Sequence, residues 1–137
     1  MKPKQVLSVE QMRHLQELGL DTSDGSMCWC YALSYKNAKW ELEIYEDVIN
    51  QKRDSAFWEI IPTYTLQDIL DKLPTLIIIS SDFYKICIEP SCGYWDIYYY
   101  KSDATELISK KSENIIDVAY DMLCWCIENG YVEKEGK

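Results

Sequence analysis

Thr75-Leu76-Ile77-Ile78-Ile79-Ser80-Ser81-Asp82-Phe83-Tyr84-Lys85-Ile86-Cys87-Ile88-Glu89-Pro90-Ser91-Cys92-Gly93-Tyr94-Trp95-Asp96-Ile97-Tyr98-Tyr99-Tyr100-Lys101 decides the fold class of this 137-residue chain. Three strand-like runs follow one another here: Thr75–Ser80, Phe83–Glu89 and Gly93–Lys101. Ser80-Ser81-Asp82 and Pro90-Ser91-Cys92-Gly93 separate them, and both connections are rich in turn formers. Connections this short join antiparallel neighbours, so the runs read as a meander. In the third run, Trp95, Ile97 and Tyr99 point one way, and Tyr94, Asp96, Tyr98 and Tyr100 point the other. The first set suits a core beneath a helix. The second, aromatic with one acid, suits a partly exposed surface, since tyrosine offers apolar area and a polar tip. The strand preference of aromatic residues produces the same pattern without any partner.

Before the meander, Thr65 caps a short helix in which Leu66, Ile69, Leu70 and Leu73 share one face, and Pro74 ends it. Ala56–Ile61 reads as a short strand stopped by Pro62. Glu46–Ser55 is polar and irregular and reads as a mobile loop. Trp40, Leu42 and Ile44 alternate with Glu41, Glu43 and Tyr45, a half-buried strand with an acidic outer face. Met27–Leu33 is apolar or small on both faces, which predicts a strand covered on both sides. Ser8 and Gln11 form a capping-box pattern, with Leu7 and Met12 as its staple, for a helix over about 9–18. After the meander, Ser112 opens a last helix with Ile115, Ile116, Ala119, Met122, Leu123, Cys126 and Ile127 on its apolar stripe, closed by Asn129-Gly130. A frayed tail is expected over Glu133–Lys137. The result is an α+β fold: a mostly antiparallel sheet of five to six strands packed with three helices. No linker divides residues 1–137, so one domain is expected.

Composition bounds the function. With 14 basic and 23 acidic residues the net charge is −9, the opposite of the basic excess of a duplex-binding protein. Hydrophobic residues make up 47%, too many for a disordered chain. Met1–Ser8 has two lysines but no apolar segment or cleavage site, so no signal peptide is expected there. The longest aliphatic run, Leu76–Ile79, is far short of the ~18 residues of a membrane span. The expectation is a cytoplasmic protein with no membrane or direct nucleic-acid partner.

Six cysteines then read as reduced, mostly buried thiols. Cys28 and Cys30 would share one side of a strand and could approach a metal together. Cys124 and Cys126 on a helix lie about 200° apart and do not converge. Zinc sites usually use cysteines spaced by two to four residues, supplemented by histidine, and His14 stands alone. His14 would be the only histidine base for a cysteine nucleophile, and it reads as a surface or rim residue. No nucleophile elbow, phosphate loop or His-Glu-x-x-His is present. The reading is therefore non-enzymatic, with no catalytic, cofactor or metal residues. A thiol- or metal-dependent enzyme using Cys28, Cys30 or His14 is the least favoured alternative.

The candidate partner surface combines Tyr94, Asp96, Tyr98 and Tyr100 with an acidic row, Glu113, Asp117, Asp121 and Glu128, at helical spacing. Such a row is ordinarily a solvated face. It could also dock a basic partner or mimic nucleic-acid phosphate. At ~6 Å of rise per charge against ~1.7 Å per charge in duplex DNA, one row is too sparse to mimic it alone. Mimicry would need Glu41, Glu43, Asp96 and a second subunit.

Ile61-Pro62-Thr63-Tyr64-Thr65-Leu66-Gln67-Asp68-Ile69-Leu70 with Leu73-Pro74, the Cys92-Gly93-Tyr94-Trp95 turn, and Asp117-Val118-Ala119-Tyr120-Asp121-Met122-Leu123-Cys124-Trp125-Cys126-Ile127-Glu128-Asn129-Gly130 carry a resemblance. It covers roughly residues 61–131, with Ser8-Val9-Glu10-Gln11-Met12 as a weaker extension. These stretches resemble small acidic proteins carried by prophages and mobile elements of Bacteroides-like gut bacteria. The resemblance brings no activity and no functional residues. It implies a bacterial cytoplasm and an accessory, phage-related role. The leading expectation is thus an accessory protein acting by protein–protein binding, to itself as a homodimer and to another protein. The alternative is an acidic nucleic-acid mimic that inhibits a host nucleic-acid-binding protein.

Overall fold

The computed structural model describes residues 4–133. The expected tail lies outside the described residues from position 134 onward. Two helices form where local capping dictates them. Ser8 caps α1 (Val9–Glu17) by accepting from the Gln11 amide, and the Gln11 side chain accepts from the Ser8 amide in return. Thr65 and Asp68 make the same reciprocal box at α3 (Leu66–Lys72). The remaining elements are β1 (Met27–Ala32), β2 (Glu41–Ile44), α2 (Tyr45–Gln51), β3 (Trp58–Thr63), β4 (Leu76–Ile79), β5 (Asp82–Ser91), β6 (Tyr94–Tyr100), β7 (Glu106–Ser112) and α4 (Ile115–Glu128).

The class is α+β as expected, but the architecture differs from one sheet with three helices. Among the described residues there are four helices and two antiparallel sheets, one in the order β2-β1-β3 and one in the order β4-β5-β6-β7. The meander is the second sheet, extended by β7 at one edge.

Three local expectations are corrected. Glu46–Gln51, expected within a mobile loop, is helical, and Tyr45, expected on the strand before it, opens that helix. Glu46 and Asp47 favour its N-terminus, and Val48 anchors it by burial against Cys28 and Cys30. Pro62 does not stop β3. It pairs with Cys28, and β3 is a sheet edge, where a missing N–H on the solvent side costs no ladder bond. Ser112 does not open the last helix. It completes β7 opposite Trp95, and Asn114 caps α4 by accepting from the Ile116 amide.

β1 is covered on both faces, as its two apolar sides predict. Cys28 and Cys30 face α2 in a small cluster with Val48, Tyr45, Trp58 and Ile60, while Trp29 packs on the main core. That core gathers Leu7, Met12 and Leu15 from the α1 region, Ile97 and Tyr99 from β6, and Ile116, Met122, Leu123 and Ile127 from α4. The Leu7 carbonyl binds the N-terminal segment to the first sheet. It accepts from Thr63 Oγ1 at 2.7 Å and from Trp29 Nε1 at 2.9 Å. Gly25 passes so close to β3 that a Cβ there would sit 2.7 Å from the Thr63 carbonyl oxygen.

Candidate functional site: the open face of the second sheet

The alternation of β6 sorts its side chains as expected. Ile97 and Tyr99 are fully buried, and Trp95 packs on the core beneath α4. The Tyr99 hydroxyl donates to the Pro74 carbonyl at 2.7 Å, and burial pushes its phenol pKa up. The opposite face carries Tyr94, Asp96, Tyr98 and Tyr100, all half-buried by their neighbours.

Register decides what joins them. Lys85 pairs with Tyr100, Cys87 with Tyr98 and Glu89 with Asp96. Lys111 pairs with Asp96 and Ser109 with Tyr98 on the other side. Leu76 lies opposite Lys85, and Ile78 opposite Phe83. Phe83 and Ile78 are each 57% exposed and Leu76 is 39% exposed, so apolar surface remains uncovered at the β4 edge. Sequence alternation finds the β6 half of this face. Leu76, Ile78 and Phe83 belong to it only through strand pairing, which composition and periodicity do not disclose.

The face is polarised. Tyr98 and Tyr100 sit with ring centroids 5.6 Å apart. Tyr98 Oη donates to Glu89 at 3.1 Å. The Cys87 thiol, partial desolvation and Glu89 together push the Tyr98 phenol pKa up. Ser109 donates to Asp96 at 2.9 Å, and Lys111 lies over the Tyr94 ring at 5.5 Å. At the other end, Asp82, Phe83, Lys85, Tyr100 and Lys101 line a depression of about 460 Å³. Lys101 is 3.6 Å from Asp82 there. An aromatic floor flanked by two lysines suits an acidic or aromatic side chain of a docking protein.

The acidic row is elsewhere. α4 covers the inner side of the sheet, so its exposed residues, Asp121 and Glu128, do not share the tyrosine surface. Asp117 is engaged internally. Lys4 donates to it at 2.8 Å and the Gln11 side chain at 3.0 Å. Burial works against the Asp117 carboxylate, but these two donors outweigh it and hold its pKa below the usual value. Asp121 moves the other way, raised by desolvation and further by Asp117, with Lys110 opposing. Glu113 precedes the helix cap and is exposed. The two halves of the expected partner surface are thus separate places, and the acid row contributes Asp117 to the fold.

The other sequence candidates fall as follows. All six cysteines are free thiols. The Cys28 and Cys30 sulfurs are 3.7 Å apart, on one side of β1 as strand geometry requires. Burial, then Cys28 and Glu43, pushes the Cys30 thiol up to about 12. A thiol so far from ionising is a poor nucleophile. Among the described residues no group of three or more His, Cys, Asp or Glu side chains could hold a metal ion. His14 lies on the exposed side of α1, 3.7 Å from Glu17 and edge-on to Tyr120. Cys28-Trp29-Cys30 and Cys124-Trp125-Cys126 share a short sequence pattern, but the first lies on a strand and the second on a helix, so they are not a structural repeat. No helix among the described residues is long and apolar enough to cross a membrane.

Comparison with protein-family models, with curated proteins and with solved structures gives no match to this chain.

Proposed function

We propose that this is a non-enzymatic binding protein whose working surface is the open face of the second sheet. One observation carries the reading: Ile78 and Phe83 stand more than half exposed on the same sheet face as the Tyr98–Tyr100 pair, opposite α4. Exposed apolar and aromatic side chains sharing one face, with lysines and acids among them, have the composition of a protein interface. The resemblance to mobile-element proteins supports reading this as an accessory role in a bacterial cytoplasm.

A photo-crosslinking residue placed at Tyr98 tests the proposal, with Glu41 on the other sheet as control. The expected result is one specific protein adduct from bacterial lysate at position 98 and none at 41. The Tyr98→Ala/Tyr100→Ala double variant, folded by circular dichroism, should abolish capture by a crosslinker at Lys85. Equal labelling from both positions, or capture unchanged in the double variant, overturns the reading.

A further inference from the structure

We infer that β4 is a self-association edge, paired antiparallel with the β4 of a second copy about a two-fold axis at Ile77. The inference goes beyond the proposed function, because it rests on backbone groups at the edge and not on the tyrosine face.

The two sheets have four outer strands: β2, β3, β4 and β7. Natural proteins protect such edges with charge, proline or bulges. β2 carries Glu41 and Glu43, β3 carries Glu59 and Pro62, and β7 carries Lys110 and Lys111 with a register shift in its pairing. β4, Leu76-Ile77-Ile78-Ile79, has none of these. No charged residue occurs from Leu73 to Ser81 in a chain of net charge −9. This is therefore the edge that a second copy approaches with least local repulsion.

The direction of the hydrogen bonds fixes the register. Ile86 donates to the Thr75 carbonyl at 3.3 Å, so Thr75, Ile77 and Ile79 aim their backbone groups at β5. Leu76 and Ile78 then aim theirs outward. A two-fold axis at Ile77 sets Leu76 against the partner's Ile78, and Ile78 against the partner's Leu76. Each pair exchanges two N–H···O=C bonds, about four in all. A slip of one residue would set open-face side chains against buried ones. A slip of two calls on Ser80, whose φ of 57° has left the strand, or on Pro74, which has no N–H to give.

In the proposed register the exposed rows run on across the axis, with Phe83 and Ile78 of one copy in line with the partner's Leu76. Edge pairing covers the flanks of Leu76 and Ile78 and leaves their outer surfaces open, so the area removed from water is small, most of it backbone. That is below the ~1,200–2,000 Å² of a stable interface, so the pair is weak and reversible. Its product is one eight-stranded sheet with two open faces side by side.

Sedimentation velocity of the full chain from 5 µM to 1 mM tests this. A reversible monomer–dimer equilibrium is expected, with the dimer fraction rising across this range. Ile78→Lys should raise the midpoint at least tenfold, since the side chain is solvent-exposed in the monomer. Ile78→Pro should do the same, because its N–H faces away from β5 and the monomer ladder stays whole. Tyr98→Ala should leave the midpoint unchanged. That control separates edge pairing from capture at the tyrosine face, so either reading can fail alone. A monomer throughout the range, or a dimer with the same midpoint in both Ile78 variants, overturns the inference.

Discussion

The Leu7 carbonyl gives the sharpest test of how the N-terminal segment is held. Two donors converge on it, Thr63 Oγ1 and Trp29 Nε1, and both Leu7 and Thr63 are fully buried. Thr63→Val keeps the side-chain shape and removes one donor. The carbonyl still has the indole, so the loss is that of one ordinary hydrogen bond, about 1 kcal/mol. Trp29→Phe leaves the hydroxyl in place and costs about 1–2 kcal/mol, some of it from packing. The double variant is different in kind. It leaves a buried acceptor with neither of its donors and adds a desolvation cost of about 1–2 kcal/mol to the sum of the two. Urea unfolding followed by far-UV circular dichroism measures all four corners of the cycle. Destabilisation of the double variant should exceed the sum of the singles by at least ~1 kcal/mol, a further ~2–4 °C in Tm at this size. Agreement with the sum to within ~0.5 kcal/mol would refute the shared-acceptor reasoning.

Other outcomes follow from the same structure. Arg53 donates to both oxygens of Glu43, at 2.7 and 2.8 Å, and holds its pKa below the ordinary value. Glu43→Gln should therefore cost about 1–2 kcal/mol at pH 7. A carboxylate with a lowered folded pKa stabilises above its unfolded value, so in chemical denaturation the gap between wild type and variant should close as the pH falls through the folded value. Asp121 has a raised folded pKa, so Asp121→Asn should stabilise the protein at pH 7. That gain should shrink as the pH falls through the folded value and vanish below pH ~3, where both states bind the proton; a loss of stability at pH 7 would contradict the sign. With a disulfide reagent, the exposed Cys92 should react first, and the buried Cys28, Cys30 and Cys126 only on unfolding. Gly93 has φ +82° with open space around it, so Gly93→Ala should cost about 1 kcal/mol through backbone strain alone, read as a lower urea midpoint.

What was legible in the sequence was local. The Ser8/Gln11 pattern, the Thr65 cap and the Pro74 stop each act within a few residues of one another, and α1 and α3 begin and end where those signals place them. The two faces of β6 follow from alternation alone. α2 carried no such signal: its N-cap is Ile44, which makes no side-chain cap bond, and only Val48 is buried. What holds it is contact with Cys28 and Cys30, which the chain reaches from another strand. β7 ends in Ser109-Lys110-Lys111-Ser112, polar on both faces, and is a strand because β6 pairs with it. Pro62 reads as a stop unless one knows that β3 lies at an edge. The candidate site divides the same way. Its tyrosines share one strand, but Ile78 and Phe83 arrive through pairing, and Asp117 finds Lys4 across 113 positions of sequence.

Gly25 bears on how any mutational map of this protein should be read. Even the smallest side chain there would drive a methyl group into the Thr63 backbone, so β1 and β3 would have to separate where the Thr63 hydroxyl secures Leu7. In a saturation scan, position 25 should rank among the least tolerant of all, although it belongs to neither the tyrosine face nor the β4 edge. Intolerance at Gly25 would measure the thickness of a seam, and a ranking of sites by lost fitness alone would mistake it for a place of contact with the outside.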